Sequence, residues 1–110
     1  MFTYDCEITR VVDGDTCDVT IDLGFKIMHK ARVRLHGINA PESRTRDKEE
    51  KYRGMQAKAR FKEIIRERET RLVSHDKGKY GRVLGEILIK SQHNDKWDSV
   101  NKILVHEGHA

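Results

Sequence analysis

Three short clusters hold side chains able to act on a charged substrate. The first is Val12-Asp13-Gly14-Asp15-Thr16, two carboxylates around a glycine. A plain turn explains it, yet its oxygens are also the hard ligands that Ca2+ or Mg2+ prefers. The second is Arg34-Leu35-His36-Gly37-Ile38-Asn39-Ala40-Pro41-Glu42. There a strand runs out at a glycine, a proline fixes the exit and Glu42 follows at once. The third is Lys79-Tyr80-Gly81-Arg82, two cations and a phenol at a tight turn. Carboxylates, carbonyl donors and guanidiniums suit a divalent cation and an anionic ligand.

The elements between the clusters must bring them together. In residues 15–23, Cys17, Val19, Ile21 and Leu23 alternate with Asp18, Thr20 and Asp22, the pattern of a strand with one buried face. Tyr4, Cys6, Ile8 and Val12 mark a strand before it, and Asp13-Gly14-Asp15 turns one into the other. Leu23-Gly24-Phe25 is a second turn. Residues 26–36 then place Ile27, Ala31, Val33 and Leu35 on one face and Lys30, Arg32, Arg34 and His36 on the other, with His29 interrupting the apolar side. Arg34 therefore points away from the core. Residues 43–53 are polar and read as a mobile loop. A helix follows, with Ala57, Phe61, Ile64 and Ile65 at helical spacing. Asp47 and Glu50 fit a capping box, although Gly54 blurs the start. Residues 71–76 and 82–90 read as two more strands, the latter well buried through Val83, Leu84, Ile87, Leu88 and Ile89. Asp98 or Ser99 caps a short last helix that Gly108 stops. The order predicts one α+β domain over 1–110, a five-stranded OB-type barrel with one helix between strands 3 and 4 and a short C-terminal helix.

Composition narrows the partners. Hydrophobic and charged residues each make up 36% of the 110, with a net charge of +4. Residues 44–71 hold 11 Lys and Arg against 6 Asp and Glu, so the basic surplus sits on the predicted loop and helix. A solvated helix face accounts for such a run; a phosphate-facing patch is the sharper reading. No apolar run approaches the length of a membrane span. The N-terminus lacks the pattern of a secretory signal, so the expected location is the cytoplasm. Cys6 and Cys17 are expected to be reduced thiols on strands. His106 and His109 read as surface histidines, and Trp97 as packing between the last strand and the last helix.

The three clusters together, in this order and at these separations, resemble the staphylococcal nuclease family. Its pattern reads Asp-Gly-Asp-Thr, then Arg-Leu-x-Gly-Ile-Asp-Ala-Pro-Glu, then Lys-Tyr-Gly-Arg. The likeness continues to Val100-Asn101-x-x-Leu104-Val105-x-x-Gly108. The resemblance implies an OB-fold enzyme that hydrolyses DNA and RNA with Ca2+, generally leaving 3′-phosphate ends, with Mg2+ or Mn2+ as other candidate ions. It implies Asp15 as a carboxylate metal ligand, Asn39 at the second side-chain ligand position, Ala40 through its backbone carbonyl and Asp13 in the outer shell. It implies Glu42 as the base or water-positioning group, Arg34 and Arg82 on the phosphate, and Lys79 and Tyr80 on a terminal phosphate of the nucleotide. The chemistry is coherent. Attack on a phosphodiester builds negative charge on the equatorial oxygens, which a cation and two guanidiniums neutralise. Arginine suits this because its planar fork binds two oxygens and stays charged. Two departures matter. Asn39 stands where the family has aspartate, which removes a negative charge and implies weaker metal binding. The longer members continue past this chain's end with aromatic residues and a further helix. These departures support the alternative of a non-catalytic module that binds nucleic acid or a protein. The expected partners are DNA or RNA and no membrane, with a monomer as default.

Overall fold

The computed structural model describes residues 2–77 and 83–110. The N-terminal half is the predicted meander: β1 (Phe2–Asp13), β2 (Thr16–Asp22) and β3 (Met28–Leu35), paired antiparallel in sequence order. Cys17, Val19, Ile21, Val33 and Leu35 point inward and are buried, as their alternation requires. Burial raises the Cys17 thiol well above its ordinary range, so the group stays protonated. β1 departs from simple alternation. Its register slips between Ile8 and Arg10 and again between Val11 and Asp13. Each slip reverses the phase and bends the strand. Val11 and Val12 are thus both buried, and β1 serves β2 with one part and β4 (Thr70–Lys77) with the other.

The strand after β4 closes the barrel. β5 (Val83–Lys90) pairs with β4 along one edge. Its other edge is divided. Val83, Leu84 and Gly85 pair in parallel with Val33, Arg34 and Leu35 of β3, while Leu88 to Lys90 pair with a short strand, β6 (Trp97–Ser99). The five strands β3-β2-β1-β4-β5 therefore return to β3, a closed barrel as the sequence order predicts, with β6 added outside it. In β5 only Gly85, Ile87 and Ile89 are buried, because Leu84, Glu86 and Leu88 face outward at half exposure. The β2–β3 turn projects past the core. Phe25 is 98% exposed, and Leu23 and Ile27 are exposed too, contrary to the apolar face their alternation suggested.

Two helices cover the barrel. α1 (Lys48–Ile65) lies between β3 and β4 and buries Gly54, Ala57, Phe61 and Ile64. It begins within the segment that reads as a mobile loop. Asp47 starts it by accepting from the backbone N–H of Glu49 and Glu50. The first turns look like loop because they face solvent and bury nothing before Gly54. α2 (Val100–His106) is capped by Ser99, whose hydroxyl accepts from Lys102 N–H. At its other end Gly108 adopts φ +81°, with bonds from Gly108 N to Val105 O and from His109 N to Leu104 O, the glycine stop predicted. Buried Asn101 joins α2 to the barrel. Its amide donates to the carbonyls of His36 and Gly85 and its oxygen accepts from Ile87 N–H. Trp97 sits on β6, half exposed, with the Arg71 guanidinium 4.1 Å above its ring, rather than between strand and helix.

Candidate active site

The β1–β2 turn is pressed into a crowded corner. A Cβ on Gly14 would lie 2.6 Å from Ala57 Cβ of α1 and 3.0 Å from Ala40 Cβ. Only glycine lets the turn approach both, and that approach sets the position of the two aspartates beside it. Asp15 is 8% exposed, and each of its carboxylate oxygens accepts one hydrogen bond. Oδ1 accepts from the Thr16 hydroxyl at 2.9 Å and Oδ2 from Ala40 N–H at 2.9 Å. Its backbone carbonyl accepts from Leu35 N–H at 2.7 Å, which fixes the end of β3 against the turn.

Arg34 enters the same corner from β3. Its Nη1 lies 3.0 Å from Asp15 Oδ2, and its Nη2 donates to Asn39 Oδ1 at 3.2 Å. Nη1 is buried, yet its contact with Asp15 has ionic distance without hydrogen-bond alignment. Among the described residues Nη1 has no hydrogen-bond acceptor. A buried guanidinium nitrogen left this way costs free energy unless an acceptor reaches it. A phosphate oxygen is the acceptor that arginine geometry suits.

The segment after Asn39 is pinned at three places. Ala40 N–H bonds Asp15. The backbone N–H of Ser43 donates to Asp13 Oδ1 at 3.2 Å and its hydroxyl donates to the same oxygen. Glu42 N–H donates to Glu50 Oε1 at 3.4 Å. α1 closes on this segment through Gly54, where an added Cβ would lie 2.4 Å from the Glu42 carbonyl carbon and oxygen. The Glu42 backbone is thus fixed while its side chain remains exposed. Asp13 acts on the site through Ser43 and so orients the exit segment.

Among the described residues, direct contacts join Asp15, Arg34, Asn39 and Ala40, Asp13 reaches the exit segment through Ser43, and Glu42 follows with its backbone held and its side chain exposed. Lys79, Tyr80 and Arg82 lie outside the described residues. The sequence places Gly14 in a turn and Gly54 near a helix start, without showing that both permit close approach, and it does not single out Ser43. The signal for Gly54 was a glycine interrupting an otherwise helical run, and Ser43 gave none. His36, at the end of β3, stacks on His75 with ring centres 4.5 Å apart. Asp15, Asn39 and the Ala40 carbonyl are hard oxygen donors, the kind Ca2+ and Mg2+ take. They carry one formal negative charge between them, because Asp13 is engaged by Ser43. Among the described residues no group of three or more His, Cys, Asp or Glu could hold a metal. The donor types fit a hard cation that water helps to ligate, and they do not fit zinc.

Residues 32–110 match the family described as Staphylococcal nuclease homologue. The chain belongs to this family. It is 31% identical over 107 residues to "Micrococcal nuclease" of Shigella flexneri, covering 94% of this chain and 55% of that protein. It is also 31% identical over 107 residues to "Protein ParB" of Escherichia coli, covering 94% of this chain and 54% of that one. The chain spans about half the length of the curated relatives it matches. The coverage of this chain extends the nuclease likeness ahead of residue 32, and so takes in the Asp13–Asp15 turn. In this staphylococcal nuclease homologue the described corner is built from the first two sequence clusters.

Proposed function

We propose that this chain is a hydrolase that cleaves phosphodiester bonds in DNA or RNA with the help of a divalent cation. The observation that supports the reading is the Arg34 guanidinium, ion-paired with Asp15 and bonded to Asn39, whose buried Nη1 has no hydrogen-bond acceptor among the described residues. Arg34 donates to an equatorial phosphate oxygen, and its contacts with Asp15 and Asn39 hold the guanidinium in place beforehand. Positioned donors of this kind contribute roughly 3–4 kcal/mol to the transition state. Arg82 supplies a second guanidinium, and Lys79 and Tyr80 bind a terminal phosphate. Asp15, Asn39 and the Ala40 carbonyl would hold the cation, Ca2+ by family resemblance, which would neutralise phosphate charge and polarise water. Glu42 takes the proton of the attacking water, its exposed side chain standing on a fixed backbone. The water oxygen bonds to phosphorus, the bond to the 5′ oxygen breaks, and that oxygen takes up a proton. The products are a 3′-phosphate and a 5′-hydroxyl.

The single carboxylate in direct contact at the donor set favours a second reading, a module that binds nucleic acid without cutting it. One experiment separates the two. Labelled single-stranded DNA and RNA are incubated with the protein in Ca2+, Mg2+, Mn2+ or chelator. Cleavage that needs a cation and vanishes in Glu42→Gln, with binding retained, supports the enzyme. Salt-sensitive binding with no cleavage at any cation concentration assigns the binding role instead.

A further inference from the structure

We infer that α1 and the edge of β1 form a basic track, separate from the catalytic corner, that holds the backbone of a longer nucleic acid beyond the bond being cut. The inference rests on the reading that the substrate is a nucleic acid. Two open grooves flank α1, of about 480 and 540 Å³. One is lined by Arg10, Lys58, Lys62 and Arg66, with Ile8, Val11 and Ile65 as its apolar floor. The other is lined by Arg44, Lys51, Lys58 and Lys62, with the Ser43 and Thr45 hydroxyls beside them. Lys58 and Lys62 line both, so the grooves share one ridge. Neither lining contains an aspartate or a glutamate.

The spacing explains the ridge. Lys58 and Lys62 stand four residues apart and so lie on one helix face, about 6 Å apart along the axis, and Arg66 follows at the helix C-cap. Among the described residues none of the six cations forms an ion pair, whereas Arg32, Arg34, Arg60 and Arg71 all do. Arg10 faces Asp18 across the β1–β2 ladder, but Asp18 is taken by Arg32 through bonds of 2.8 and 3.3 Å. Two of the three acids of α1 are engaged elsewhere: Glu63 pairs with Arg60, and Glu50 accepts from Glu42 N–H. Unpaired cations at this density repel one another, and a polyanion relieves that repulsion.

The track also meets the candidate site. Ser43, at one end of the second groove, is the residue whose backbone and hydroxyl bind Asp13. A strand held at the catalytic corner therefore continues onto α1. Among the described residues the most exposed apolar side chain, Phe25, lies on the β2–β3 turn, and Met55 is the one exposed large apolar group that lines these grooves. A membrane surface would call for a broader exposed apolar face beside the cations.

The test compares binding of single-stranded oligonucleotides of about 4 and about 16 nucleotides, in chelator so that nothing turns over. Anisotropy is read across a salt series with the parent and with Lys58→Gln/Lys62→Gln/Arg66→Gln. Glutamine keeps helix propensity, and circular dichroism checks α1. The triple variant flattens the log–log salt slope for the long strand by about 2 and leaves the short strand unchanged. A control neutralises Lys30, Lys90 and Lys96 and leaves both slopes alone. An unchanged long-strand slope overturns the track, as does equal flattening in the control. Loss of binding to anionic lipid vesicles, with the oligonucleotide slope intact, assigns the cations to a membrane and also overturns it. Cleavage of the short strand with added cation is read separately. Its absence removes the enzyme reading and leaves the slopes standing as evidence for the track.

Discussion

Gly54→Ala probes how the candidate-site corner is held. In a free helix this change stabilises by about 1 kcal/mol, because alanine loses less backbone entropy. At position 54 the new Cβ would lie 2.4 Å from the Glu42 carbonyl carbon and oxygen and 2.7 Å from Ser43 N. All three atoms are backbone, so no side chain can turn aside. Restoring ordinary contact at 3.4 Å requires α1 and the exit segment to part by about 1 Å. Overpacking of this kind costs about 1–3 kcal/mol and more where backbone must move. The cost exceeds the helix gain, and a net loss of about 2 kcal/mol lowers Tm by about 8 °C in a domain of this size. The same 1 Å displaces Glu42, and misplacement on that scale lowers kcat by about 100-fold. Thermal unfolding and single-turnover cleavage measure the two effects, with exposed Gln56→Ala as the neutral control. A variant that melts at or above the parent temperature and cuts at the parent rate would refute the claim that close helix approach positions Glu42.

Other outcomes follow from the same geometry. Asn39→Asp adds a negative charge beside Asp15 and lowers the Ca2+ concentration for half-maximal cleavage by about tenfold, a modest share of the roughly 4 kcal/mol available to a unit charge at 4 Å; a titration of rate against Ca2+ reads it. Asn101→Ala strips partners from Ile87 N–H and from the His36 and Gly85 carbonyls, and chemical denaturation is expected to show a loss of about 3 kcal/mol. The Arg60 guanidinium, hydrogen-bonded to both carboxylate oxygens of Glu107, holds that group below its ordinary value of 4.5. A lowered folded-state value means the stabilisation is present above pH 4.5 and fades as pH falls through the lowered value. Arg60→Ala should therefore lower Tm at pH 7 and make little difference at pH 2, and no such convergence would refute the linkage.

Much of this could be read from residue order, for physical reasons that also mark where the reading stopped. Strict alternation in Cys17–Ile21 and Val33–Leu35 gave faces, because one side of each strand is buried. β1 resisted, since its two bulges reverse the phase within the strand and no residue type announces a bulge. The start of α1 was hidden because its first turns bury nothing. β6 is three residues long, too short for any period. At the site, motif order grouped Asp15 with Arg34, and the two are in contact. It did not reveal that Arg34 leans on Asp15 and Asn39, or that Ser43 links Asp13 to the exit segment. Those are contacts between residues up to 30 apart, and they depend on how the turn, the helix and the exit segment converge.

The parallel seam between β3 and β5 has a consequence for a chain emerging from the ribosome. Arg34 is synthesised early, but Leu84, its partner across the seam, arrives fifty residues later. Until then the edge of β3 is open and the corner lacks one wall. The barrel therefore cannot close, and the surroundings of Arg34 cannot take their final form, before residues 83–85 have left the ribosome.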